Sequence, residues 1–158
     1  MIAELQRAEE QTNEVAASFV PKEHAGAVWP KIEAYVESAT RRTGGRYLPA
    51  DVLIEILEGR MLLWIAFEGE EVIGVAVSYF IDYPRKKVLA VPFMAGEDFV
   101  RWGDSLLKLL RKWAFDNGCG TLEACARPGW ARVFKDEGYK RLWEWCEVPV
   151  NGGSSERN

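Results

Sequence analysis

Two apolar runs separated by a three-residue polar break set the tightest limit on what this chain can fold into. Met61–Phe67 is nearly continuous in apolar residues, Glu68-Gly69-Glu70 interrupts it, and Val72–Ile81 follows, rich in β-branched and aromatic residues. The pattern predicts an antiparallel hairpin. Neither run alternates apolar with polar, so both faces of the hairpin must be covered by further layers. After the turn Tyr83-Pro84-Arg85-Lys86, a third run, Lys87–Phe93, extends the hairpin into a meander. Pro92 has no N–H to give a ladder, so regular pairing stops near it or the strand bulges.

Helical patterns on either side of the meander supply the covering layers. Between His24 and Arg42, the residues Val28, Ile32, Tyr35, Val36 and Ala39 recur every three or four positions, and Thr43-Gly44-Gly45 ends the run. Pro49 suits the first turn of a second helix whose buried face is Val52, Leu53, Ile56 and Leu57, ended by Gly59. The strongest helical pattern is Glu97–Asn117, with Phe99, Trp102, Gly103, Leu106, Leu110, Trp113 and Ala114 at helical spacing and Gly118 as a C-terminal cap. Ser18–Val20 reads as a short strand before the helices. Thr121–Ala126 reads as a strand, Trp130–Glu137 as a short helix capped by Gly138, and Tyr139–Val150 as the last strand. In that last strand Trp143 and Trp145 share one face, either core under a helix, the favoured reading, or a partner surface. The order predicts an α/β (α+β) fold: a mixed central sheet of six to seven strands with helices on both faces.

At 158 residues the chain suits one domain. The expected division is an N-terminal arm or short helix over 1–16, a single domain over 17–150 and a disordered Gly- and Ser-rich tail over 151–158. Twenty basic against 24 acidic residues give a net charge of −4, which argues against non-specific binding to nucleic acid or to an anionic membrane. No apolar run reaches the roughly 18 residues of a membrane span, and the polar, acidic N-terminus lacks the apolar stretch of a secretory signal. The three cysteines, Cys119, Cys125 and Cys146, are odd in number and form no C-x-x-C pair. The expectation is a cytoplasmic protein without a disulfide framework or a metal site. The single histidine, His24, reads as a cap or surface residue.

With local sequence to match, this order resembles the GNAT superfamily of N-acetyltransferases over roughly Ser18 to Val150. Three segments carry the resemblance: the hairpin from Trp64-Ile65-Ala66-Phe67 through Glu71-Val72-Ile73-Gly74-Val75; the strand Lys87–Phe93 leading into the helix Glu97–Asn117 and Gly118-Cys119; and Trp130-Ala131-Arg132-Val133-Phe134-Lys135-Asp136-Glu137-Gly138-Tyr139, similar to the family's closing helix with its glycine-aromatic end. The resemblance implies a GNAT-like acyl-CoA N-acyltransferase fold, with acetyl-CoA in the splay between the fourth and fifth strands. Its diphosphate would sit on backbone N–H groups at the start of the central helix, where the helix dipole favours an anion.

The family's Gln/Arg-x-x-Gly-x-Gly/Ala motif aligns with Val100-Arg101-Trp102-Gly103-Asp104-Ser105, and the implied cofactor-binding set is Phe93, Met94, Ala95, Arg101, Trp102, Gly103, Asp104 and Ser105. Gly103 matches, Ser105 is small, and Val100 stands in place of the motif's Gln or Arg. Asp104, with Glu97 and Asp98 before the helix, places three carboxylates near an anionic ligand; Arg101 offsets one of them.

Acyl transfer to an amine needs a base for the amine proton and an acid for the leaving thiolate. The family's usual Tyr after the closing helix's Phe is Lys135 here, following Phe134, and the fourth strand carries no acid. Glu123 on the fifth strand is the nearest base, and Cys125, on the same side, is a candidate proton donor. Arg127, in the turn Arg127-Pro128-Gly129, reads as a partner for a carboxylate.

Two functions follow. One is a GNAT-type N-acyltransferase moving an acetyl group from acetyl-CoA to a small-molecule or protein amine, with a cationic or neutral acceptor suiting the acidic chain. The other is a catalytically degenerate GNAT-fold protein that binds a protein partner as an interaction or assembly component. Proteins of that kind and size occur in phage and prophage genomes, so a phage-associated role stays open.

Overall fold

The computed structural model of the chain describes residues 14–125 and 129–151. The chain divides into two compact units, residues 1–126 and 127–158. In the first, the order is β1 (Val15–Val20), α1 (Lys22–Thr40), a 3-10 turn (Arg41–Thr43), α2 (Pro49–Leu57), β2 (Leu62–Glu68), β3 (Glu71–Tyr83), β4 (Lys86–Gly96), α3 (Phe99–Asp116) and β5 (Thr121–Ala124). The second holds α4 (Trp130–Phe134) and a 3-10 turn (Lys135–Glu137), after which Gly138 turns left-handed with φ 73°.

Sheet order is β1-β2-β3-β4-β5. The first four strands run antiparallel to their neighbours and β5 runs parallel to β4. A parallel neighbour needs a crossover, and α3 is that crossover. The sheet is therefore mixed, and each face has its own core. On one face, Val75, Val77, Phe93 and Ala95 pack under Trp29, Ile32 and Val36 of α1 and Val52 and Ile56 of α2. On the other, Trp64, Ala76, Leu89 and Val91 pack under Trp102, Leu106, Leu110 and Ala114 of α3. This two-sided burial is what the non-alternating hairpin demanded.

Helix ends follow local chemistry. Pro49 occupies the first turn of α2, where its missing N–H costs nothing, and the Leu48 N–H donates to Asp51 Oδ2 at 2.8 Å. At the end of α3 the Cys119 N–H reaches back to the Ala114 carbonyl (2.8 Å) and the Gly118 N–H to that of Phe115 (3.1 Å), with Gly118 at φ 77°. That is a Schellman ending, and it turns the chain into β5.

Three expectations need correction. The sheet has five strands among the described residues, not six or seven. Residues 139–149 take no strand, and β4 is the one partner of β5 among the described residues. Trp143 and Trp145 are correspondingly 53% and 86% exposed rather than core. Period-two alternation assigns faces, but a strand exists only with a ladder partner, and alternation supplies none. Third, β4 runs past Phe93 to Gly96, and α3 starts at Phe99 rather than Glu97. Of the arm expected over 1–16, Val15 and Ala16 belong to β1; residues 1–13 of it, residues 152–158 of the tail expected over 151–158, and Arg127 lie outside the described residues.

Candidate active site

The site is built around β4. Val77 pairs with Phe93 but Tyr79 pairs with Ala90, so Val91 and Pro92 together oppose the single residue Ser78. This is a β-bulge at the proline, where a missing N–H does least harm to the ladder. β5 pairs with β4 only from Val88↔Thr121 to Val91↔Ala124, and at the bulge the two strands part. Beyond it, among the described residues, β4 pairs with β3 alone. The Glu97 N–H donates to the Ile73 carbonyl at 2.9 Å, continuing the register of Gly96 with Gly74. By the alternation of an antiparallel ladder, Met94 and Gly96 then turn their N–H and C=O groups away from β3, toward the side β5 has left. That side is a line of backbone donors and acceptors with no strand paired to it among the described residues.

On the α1–α2 face, the register sets Tyr79, Ala90 and Glu123 in one row across β3, β4 and β5. Tyr83 donates from its hydroxyl to Glu123 Oε1 at 2.7 Å. This bond, foremost, raises the Tyr83 phenol above its ordinary value, since ionising it would set two anions together. Burial raises the Tyr79 phenol, with Tyr47, Cys125 and Glu123 adding to the effect. Tyr47, in the loop before α2, meets Phe93 edge-on at a centroid distance of 5.2 Å. Glu123 therefore shares a row with Tyr79 and a hydrogen bond with Tyr83, while Tyr47 and Cys125 act electrostatically on Tyr79. Sequence reasoning missed the tyrosines, reading Tyr83 as a turn residue. Their one signal was that Tyr79 and Tyr83, four residues apart, share one face of a strand longer than its apolar run.

At the start of α3 the motif residues lie within the helix. Asp98, just before it, takes a left-handed conformation (φ 49°), which Asp tolerates better than most residues. Val100 is 76% exposed. Arg101 forms an ion pair with Glu68 at the end of β2. Trp102 is fully buried, and its Nε1–H donates to the Glu97 carbonyl at 2.8 Å. Gly103 faces the Phe99 ring, which an added Cβ would meet at 2.8 Å. Asp104 pairs with Lys108 on the exposed side, and Ser105 is half-buried. Of the strand residues, Phe93 and Ala95 are buried on the α1–α2 face, while half-buried Met94 packs on the α3 face. The Tyr35 hydroxyl of α1 donates to the Val72 carbonyl at 3.5 Å; burial first, and then the negative charge of Glu97, raise the Tyr35 phenol. Exposed His24 lies in the first turn of α1. Among the described residues there is no cluster of three or more metal-ligating side chains, and no helix long and apolar enough to cross a membrane.

No protein-family model and no curated protein matches the sequence. Solved structures do match. An aminoglycoside acetyltransferase from an uncultured soil metagenomic sample aligns at 12% identity, covering 87% of this chain and 99% of its own, with a TM-score of 0.65. A predicted acetyltransferase from Clostridium acetobutylicum, solved with acetyl-CoA, aligns at 16% identity over 87% and 97%, with a TM-score of 0.62. A transcriptional regulator from Bacillus halodurans aligns at 17% identity over 87% and 100%, with a TM-score of 0.63. The fold is that of the GNAT-type acetyltransferases. Fold alone does not fix the reaction.

Proposed function

We propose that the chain is a GNAT-type N-acyltransferase that moves an acetyl group from acetyl-CoA to a primary amine, with its domain spanning residues 17–150. The observation that carries this reading is the parting of β4 from β5 at Val91 and Ala124, beside the bulge and in line with Glu123. Acetyl-CoA supplies an activated acyl group on a thiolate leaving group. The chain supplies placement. The outward N–H and C=O groups of Met94 and Gly96 bind an amide-bearing arm along β4, and the Met94 N–H is a candidate donor to the acyl oxygen. Glu123 accepts the amine proton, and Cys125 or the neighbouring Tyr79 hydroxyl supplies a proton to the departing sulfur. A cytoplasmic setting fits both this donor and free thiols.

The residues fit the arm of the donor better than its diphosphate. At the start of α3, Arg101 is engaged by Glu68, the Phe99 ring covers Gly103, and Asp98 and Asp104 carry charge of the ligand's own sign. Phe93, Met94, Ala95, Trp102 and Ser105 complete the proposed donor site. The same features favour a second reading: a GNAT-fold protein without catalysis, acting through a protein partner, with exposed Trp143 and Trp145 as docking residues.

Calorimetry with acetyl-CoA and with desulfo-CoA separates the two. Binding that weakens in Met94→Pro, which removes the outward N–H without breaking the β3 ladder, supports the enzyme, and a screen of amines follows. No heat at millimolar acetyl-CoA overturns it in favour of the second reading.

A further inference from the structure

The two outer strands of the sheet are finished differently. β5 is four residues long and carries Glu123, and shortness and charge both guard an edge against pairing with another chain. β1 has neither protection. Val15-Ala16-Ala17-Ser18-Phe19-Val20 holds no charge and no proline, and it pairs with β2 without a bulge from Val15↔Glu68 to Val20↔Leu63. The strand spans about 20 Å. Its outer edge has no strand beside it among the described residues. Charge returns on either side of it, with exposed Glu14 before the strand and exposed Lys22 after it. Glu23 is the next position of α1, about 100° round the helix from Lys22.

Opposite charges at opposite ends select the occupant. A strand of the same sequence laid antiparallel sets Glu14 of each copy by Lys22 of the other, whereas a parallel one sets like by like. A second copy related by a two-fold axis normal to the sheet is antiparallel and leaves each face on its own side. Val15, Ala17 and Phe19 pack on the α3 face and Val20 on the α1–α2 face, so odd positions pair with odd and even with even. With Ser18 opposite Ser18 of the second copy, Glu14 falls opposite Lys22, Ala16 opposite Val20 and Ala17 opposite Phe19. Small then meets large on both faces, and each end carries an ion pair.

We propose that the outer edge of β1 is an interface for a second copy of this chain, paired antiparallel about Ser18 so that the two sheets become one. Main-chain hydrogen bonds hold the copies together, and the Glu14–Lys22 pairs at the two ends set orientation and register. The proposal is independent of the acyltransferase reading, since neither donor nor amine enters it.

The test is sedimentation velocity of the full chain over a dilution series, with hydrogen exchange of the β1 amides at both ends of the series. Expected is a dimer that dissociates on dilution, with β1 amides that exchange at least tenfold faster in the monomer. Ser18→Lys, at an exposed position, sets two like charges face to face and weakens association at least tenfold. Glu14→Lys and Lys22→Glu each weaken it several-fold at low salt. The double variant Glu14→Lys/Lys22→Glu restores it, an outcome that a folding defect does not give. A chain that stays monomeric at millimolar concentration overturns the proposal. So does a dimer indifferent to Ser18→Lys and to the charge exchange, which places the interface elsewhere. Monomers whose β1 amides are protected at every dilution overturn it as well, and assign the edge to another segment of the same chain.

Discussion

The indole of Trp102 fills the space where a side chain at Gly74 would stand: a Cβ added there would lie 2.6 Å from its ring carbons. Gly96, paired with Gly74, is closed off by the same ring and by the strand beside it. The helix that crosses to β5 is thus seated on two glycines. Gly74→Ala is expected to cost about 1–3 kcal/mol by overpacking. A smaller residue in place of Trp102 should make the glycine substitution nearly neutral, so the double variant Gly74→Ala/Trp102→Leu should be less unstable than the sum of the singles. Urea midpoints of the four proteins check this, and strict additivity would refute the contact as the cause.

Ser78 is fully buried, and its hydroxyl oxygen accepts the Trp64 Nε1–H at 2.8 Å. Ser78→Ala leaves a buried indole donor without a partner, at an expected cost of about 1–3 kcal/mol. Trp64→Phe in that background should recover part of the loss by removing the donor. Chemical denaturation followed by circular dichroism measures both.

Alkaline stability tests the half-buried phenols of Tyr79 and Tyr35. Burial favours the neutral form of Tyr79 and Tyr35, so their folded values lie above the unfolded value of 10. Below pH 10 both states keep the proton and the stabilisation is present in full. As pH rises from there through the folded values, the unfolded chain ionises first and stability falls. Denaturation midpoints between pH 8 and 11 should fall less steeply in Tyr79→Phe than in the wild type. Identical slopes would mean that Tyr79 ionises freely in the fold.

Val100 stands where the related motif has Gln or Arg, and it is exposed on the first turn of α3. Val100→Arg should tighten acetyl-CoA binding about tenfold at low salt through one charge-assisted contact, with the gain shrinking as salt rises. Calorimetry at two ionic strengths measures it. An unchanged affinity at both would place the diphosphate away from this helix.

Trp145 is 86% exposed, so Trp145→Ser should leave stability within about 0.5 kcal/mol of wild type. A loss of several kcal/mol in thermal unfolding would return Trp145 to a core.

Much of the frame was legible in the sequence. Pro49 and the pair Val52 and Ile56 fixed α2, although Leu57 of the same stripe is exposed, Pro92 announced the bulge, and Gly118 marked the turn into β5. Each is a local effect of φ, of a missing N–H or of periodicity, which neighbouring residues alone determine. The site was legible only in part. Glu123 and Cys125 could be placed on one face of one strand. The tyrosines beside Glu123 come from positions 79 and 83: the register of β3 on β4 and of β4 on β5 sets Tyr79 in its row, and Tyr83 reaches it by a hydrogen bond. Tertiary structure likewise decided that Arg101 is held by Glu68 and that Gly103 lies under Phe99. It decided, too, that the Trp143–Trp145 segment, patterned as a strand, pairs with nothing among the described residues. Periodicity tells a side chain which way to face; which residue it meets depends on strands brought together from far along the chain.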